Sequence, residues 1–168
     1  MTAHEPTFAT YTPEHRTQCL AAFDTLVPDY FLQHERPDFE AFLTQVEANI
    51  ISGAYLVARA RQDVVACGGV SLAPSDASGR ALSLNEAGLT WAMVRRGQHG
   101  RGLGRALLRA RLAWLRQHAP HVTHALIMTS HVTAGFYERA GFRTERVIPD
   151  AFGPGFHRHD MRLALQRP

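Results

Sequence analysis

The chain has 168 residues, 45% hydrophobic and 20% charged, which is enough for one domain to bury a substantial core without disulfides or a structural metal. All 18 basic residues behind its net charge of +3 are arginines, so a Schiff-base lysine, a catalytic lysine and the lysine of a Walker-type phosphate loop are excluded. Cys19 and Cys67 lack both CxxC spacing and scaffold density, no apolar run approaches the roughly 18 residues of a membrane span, and the opening "MTAHEPTFAT" lacks the basic and apolar regions of a signal peptide; a cytoplasmic protein is expected.

"TFATYT" reads as a short strand, and Thr12-Pro13-Glu14 opens a helix whose apolar positions Cys19, Leu20, Phe23, Leu26 and Val27 recur at helical spacing until Pro28 breaks it. "DYFLQHER" crosses to a second helix starting near Pro37-Asp38, with Phe39, Phe42, Leu43, Val46 and Ile50 on its apolar face, which stops before Gly53. "AYLVARA" and "VVACGGVSLA" are neighbouring strands joined at Arg61-Gln62-Asp63, "PSDASGR" is a loop, and "NEAGLTWAMV" is a further strand. A helix runs from about Gly102 to His118, followed by the strand "HALIMTS", a helix from about Val132 to Arg139, the strand "ERVIP", the turn "FGPG" and the strand "HRHDMRLAL". This order predicts one α+β (mixed α/β) domain over 1–168, with helices on both faces of a sheet.

Between the fourth of these strands and its helix lies "QHGRGLGRALL", with Gly100, Gly102 and Gly104 at alternate positions. Residues without Cβ let the backbone approach a ligand and take positive φ. The first amides of a helix have no partner inside it and sit at the positive end of its dipole, so the stretch reads as a pyrophosphate cradle. Arg95, Arg96, Arg101, Arg105, Arg109 and Arg111 crowd around it, and their forked guanidinium groups suit phosphate oxygens. The acidic residues elsewhere nearly balance the charge, so a localised phosphate ligand fits better than nucleic acid. A Walker loop fails because Gly104-Arg105-Ala106 stands where GK[ST] is needed. A dinucleotide GxGxxG begun at Gly100 would need its third glycine at Arg105. The remaining pattern is the acetyl-CoA loop, Q/R-x-x-G-x-G/A, met from His99 to Gly104 with His at the first position and Gln98 one residue early.

With "LTWAMVRRGQHGRGLGRALL", "TSHVTAGFYERAGFR" and "PDAFGPGFHRHDMRLAL", the chain resembles the GNAT superfamily of N-acetyltransferases over nearly its whole length. The resemblance implies a central, mostly antiparallel twisted sheet of six to seven strands, with acetyl-CoA as cofactor. It implies that backbone groups of Ala92, Met93 and Val94 pair with the pantetheine arm as an added strand, and that the amides of His99, Gly100, Arg101, Gly102, Leu103, Gly104, Arg105 and Ala106 hold the pyrophosphate. Tyr137 falls at the family's tyrosine, where a phenol donates to the leaving sulfur. His131 stands where many members carry Asn in contact with the cofactor. Asp29, Tyr30 and Phe31, with Glu35, lie where members place substrate-covering helices. A homodimer through the last strands is an assembly similar proteins use.

An alkylammonium of pKa near 10.4 is neutral only about one part in a thousand at pH 7, a deficit of roughly 4 kcal/mol, so amine acylation calls for a base or a desolvating pocket. Glu86, eight residues before Val94, is the base candidate if no bulge intervenes to reverse its face. His157, His159 and Asp160 form the competing cluster, and as a metal site they lack a third convincing ligand, so no metal is expected. Cys67 as an acylated nucleophile is unnecessary for direct transfer and reads better as core. The expected function is therefore acetyl transfer to a small-molecule or peptide amine, without nucleic acid or membrane partners. A non-catalytic acyl-CoA-binding module and a nucleotide-binding oxidoreductase are the alternatives.

Overall fold

A computed structural model describes residues 6–166; the first five residues of the stretch read for a signal peptide, and the last two of the 1–168 domain, lie outside them. The first strand is β1 (Phe8–Thr10), followed by helices α1 (Arg16–Asp24) and α2 (Arg36–Glu47) and by strands β2 (Gly53–Ala60), β3 (Asp63–Leu72) and β4 (Glu86–Val94). Helix α3 (Leu103–His118), strand β5 (His124–Ser130), helix α4 (His131–Arg139) and strands β6 (Arg143–Gly153) and β7 (Phe156–Ala164) complete the order. The strands form one seven-stranded sheet in the order β1-β2-β3-β4-β5-β7-β6, antiparallel throughout except for the parallel pair β4 and β5.

The predicted element order holds, and its boundaries move for local reasons. The first helix ends at Asp24 rather than Val27, because Thr25 Oγ1 donates back to the Ala22 carbonyl at 2.7 Å and competes with the helix ladder. The second begins at Arg36, where the Glu35 carboxylate turns back to accept the Leu32 N–H at 2.7 Å. Ile50, expected on its apolar face, follows the helix end and is 70% exposed.

Alternation along the strands divides the core between the two faces of the sheet. Phe23, Phe39, Phe42 and Leu43 of α1 and α2 pack with Tyr55, Val57, Cys67 and Met93. Leu108 and Leu115 of α3 and Tyr137 of α4 pack with Val70, Leu89, Ile127 and Met161. Each fully buried Leu or Phe contributes roughly 1.5–3 kcal/mol, so these two layers fix the helices that border the site.

Two irregularities open the middle of the sheet. Cys67 faces Met93 while Gly69 faces Thr90, so three steps on β4 match two on β3. The extra residue makes a bulge at which Trp91 takes φ +41°. In addition β4 and β5 pair only from Glu86 with His124 to Leu89 with Ile127. Beyond that β4 keeps β3 as its partner and β5 keeps β7. The two parallel strands therefore part at their C-terminal ends.

Candidate active site

The gap between the parted strands is the mouth of a cavity of about 1320 Å³. Its walls include Leu89 to Val94 of β4 and Ile127 to Ser130 of β5, the loop and first turn of α3, and Tyr137 of α4; Tyr30, Phe31 and Phe42 lie on its front side. Among the described residues, no strand pairs with β4 on the β5 side from Thr90 to Val94, so that edge offers backbone donors and acceptors to an extended ligand, as in strand addition.

Gly100 and Gly102 take φ +75° and +78°, with nothing within 4 Å of where a Cβ would stand. Gly102 is the N-cap of α3, and the first intrahelical bond runs from the Ala106 N–H to its carbonyl at 2.9 Å. The amides of Leu103, Gly104 and Arg105 precede that bond and have no helical partner, which suits them to an anion. Ala106, expected among the phosphate donors, spends its amide inside the helix and does not line the cavity. Arg101 lies outside the lining as well, its Nη1 donating to Gln98 Oε1 at 3.3 Å. The His99 Nε2 lies 2.7 Å from the Val94 carbonyl, which can only accept, so the ring donates there and ties the loop to the end of β4. Tyr30 packs edge-on against that ring at 5.2 Å.

A β-branched side chain in the left-handed region costs more than the roughly 1–2 kcal/mol of an ordinary residue. Gly102→Val should therefore weaken acetyl-CoA binding about tenfold, as read by isothermal calorimetry, while leaving the core-governed Tm within a few degrees; unchanged affinity would remove the loop from the site.

The family model described as the acetyltransferase (GNAT) family matches residues 19–142. This chain belongs to the GNAT acetyltransferase family. Among solved structures, it resembles a candidate GNAT-family acetyltransferase from Desulfovibrio desulfuricans at TM-score 0.76 and 20% identity, over 94% of this chain and 98% of that one. A candidate acetyltransferase from Salmonella typhimurium, solved with its cofactor acetyl-CoA, aligns at TM-score 0.72 and 17% identity over 97% and 95% of the two chains. An aminoglycoside 6'-N-acetyltransferase in complex with coenzyme A aligns at 0.69 and 13% over 96% and 99%. These likenesses concern the fold. No match to a curated protein reaches significance.

In this GNAT chain Ala92, Met93, Val94, His99, Gly100, Gly102, Leu103, Gly104, Arg105, Tyr30, Phe31 and Tyr137 all border the one cavity. Five further candidates do not. Asp29 is paired with Arg96 at 2.6 Å outside it. His131 accepts the His157 N–H on Nδ1 at 3.3 Å and lies against Phe156 and His157, also outside the lining. His159 and Asp160 belong to β7, where Asp160 pairs with Arg158 at 2.9 Å. Glu86 lies outside too: the bulge at Trp91 reverses the alternation that would have put it on the face of Val94, and its carboxylate accepts from Arg162 at 2.7 Å and from the Ser83 N–H at 3.0 Å. The Ser83 bond, then Arg162, holds that carboxyl below the usual glutamate range, the opposite of what a base needs. Glu86→Gln should leave kcat within about twofold of wild type in a thiol-release assay; a loss beyond tenfold would restore it to the chemistry.

Cys67 is fully buried in the core. Its neighbour Cys19 is pushed strongly up by their hydrogen bond and by burial, so that thiol stays protonated. Glu35, named with the acceptor segment, and Arg111, named among the arginines around the glycine loop, border the cavity, and so does Asp38, which the sequence did not single out for the site. Burial raises the Glu35 carboxyl, against the opposing Leu32 hydrogen bond.

Proposed function

We propose that this GNAT protein moves an acetyl group from acetyl-CoA to an amine by direct attack across the gap between β4 and β5. The observation that carries the reading is that the free amides at the start of α3, the unpaired edge of β4 and the Tyr137 side chain converge on one cavity. The loop amides from Leu103 to Arg105 and the arginine side chain at 105 suit a pyrophosphate, and the edge from Thr90 to Val94 suits a pantetheine arm. When bound, acetyl-CoA supplies the activated acyl carbon and a thiolate leaving group.

The front of the cavity favours a cationic acceptor. Tyr30, Phe31, Phe42 and Trp91 present aromatic surface there, with the carboxylates of Glu35 and Asp38 beside them, a combination that holds an alkylammonium by charge and by cation–π attraction. Glu35 takes the base role that the sequence pointed to in Glu86. A carboxylate made more basic by burial is closer to the range in which it can accept the ammonium proton near neutral pH. Tyr137, on the opposite wall, donates to the leaving sulfur. With this acid in place the chain is a transferase rather than a passive acyl-CoA binder.

The test is thiol release from acetyl-CoA in the presence of a panel of amines: arylalkylamines, polyamines, amino acids and peptides with free N-termini. Acceleration by at least one amine, with the amine recovered as its acetamide, is expected. Acetyl-CoA binding with no acetamide from any amine would overturn the transferase reading.

A further inference from the structure

Leu107, Arg111 and Leu115 stand one turn apart on the buried side of α3, and the arginine between the two buried leucines is only 1% exposed. A guanidinium so placed loses its hydration, and something must offset that loss. Its Nε and Nη1 have no hydrogen-bond partner among the described residues. Its Nη2 donates to the Tyr137 hydroxyl at 3.4 Å, and the side chain borders the cavity. A buried cation has thus been placed at the cavity wall without a carboxylate, against the phenol that the proposed function makes the acid.

We propose that Arg111 is a positioning residue for thioester cleavage, holding the Tyr137 oxygen from the protein side and providing the positive charge against which negative charge gathers at the leaving sulfur. The inference rests on the role given to Tyr137 above. Guanidinium has donors and no acceptor, so the phenol oxygen must accept from Arg111 and its own proton is turned away, toward the cavity. In the step, the amine lone pair forms the N–C bond, the C–S bond breaks with its electron pair going to sulfur, and sulfur takes the Tyr137 proton. The phenol oxygen is left negative beside Nη2 until the proton shed by the acceptor nitrogen replaces it. Fixed charge in a desolvated site acts here without the reorganisation that water would need.

The experiment compares wild type, Arg111→Lys and Arg111→Met by calorimetric binding of coenzyme A and of its desulfo analogue between pH 6 and pH 9. In wild type the preference for coenzyme A over the desulfo form should grow with pH by about tenfold, because the thiolate is the bound species. Arg111→Lys should keep part of that growth, and Arg111→Met should abolish it while binding the desulfo form as before. The Met variant should be at least as heat-stable as wild type, since exchanging an unpaired buried charge for apolar volume is neutral or favourable. Its kcat should fall about tenfold at unchanged KM for acetyl-CoA, and adding Arg111→Met to Tyr137→Phe should bring no fall beyond that of Tyr137→Phe alone. An unaltered pH trend in Arg111→Met, or losses that multiply in the double variant, would overturn the proposal. Failure of the underlying reading looks different: neither coenzyme A nor its analogue binds wild type, or Tyr137→Phe alone retains full kcat.

Discussion

Tyr137→Phe should lower kcat by about 10²- to 10³-fold, the range expected for loss of a general acid, while the affinity for acetyl-CoA stays within about twofold. The asymmetry follows from how the ring is held. It lies edge-on to Phe136 at 5.0 Å and to Phe142 at 5.4 Å, within the buried layer beneath α3 and α4, and phenylalanine preserves all of that packing. What disappears is one hydroxyl at the cavity wall, which the proposed function gives to the reaction and not to holding the cofactor's phosphates. Steady-state thiol release and a thermal-shift titration with acetyl-CoA separate the two effects. Full turnover in the variant would contradict the role of Tyr137, and a large loss of affinity would make it a binding residue.

Glu35→Gln should lower kcat/KM about 100-fold at neutral pH and remove the acidic limb of its pH profile. In wild type that limb should lie above the ordinary glutamate value of about 4.3, because burial raises the folded-state carboxyl and the free enzyme's base sets the profile. Stability should move the other way. A raised carboxyl contributes stability that is present below the unfolded value and lost as pH rises through the folded one. The neutral glutamine, which can still accept the Leu32 N–H, has no such loss. The Tm difference between variant and wild type should therefore widen in the variant's favour from pH 4 to pH 8. A wild-type profile without an acidic limb, or a variant with unchanged kcat/KM, would remove Glu35 from the proton path.

The parts of the site legible in the sequence were those with a local cause. Gly100 and Gly102 are needed by the backbone itself, at positive φ ahead of a helix, and Tyr137 follows from the register of α4. The order of elements followed from periodicity, since each helix and strand buries a face that its own spacing displays. Glu86 was misplaced because alternation counts faces correctly only along an unbroken ladder, and the residue bulged at β4 is Trp91, not a glycine that would have marked the spot. Glu35 was read only as part of the acceptor segment and not as a base, because its basicity depends on what α2 and the preceding turn bury. Arg111 did leave a trace, as the one charge in the line Leu107, Arg111, Leu115 on the sheet-facing side of α3. Among so many neighbouring arginines it read as part of a phosphate-binding crowd.

The most direct test of the central claim, that the gap between β4 and β5 is the acyl-transfer site, is a crystal structure of the protein with coenzyme A. The account predicts pantetheine lying along Thr90 to Val94, phosphates on the amides of Leu103 to Arg105, and the sulfur within hydrogen-bond reach, about 3.5 Å or less, of the Tyr137 hydroxyl. Coenzyme A seated elsewhere, or in the gap with its sulfur remote from Tyr137, would contradict it.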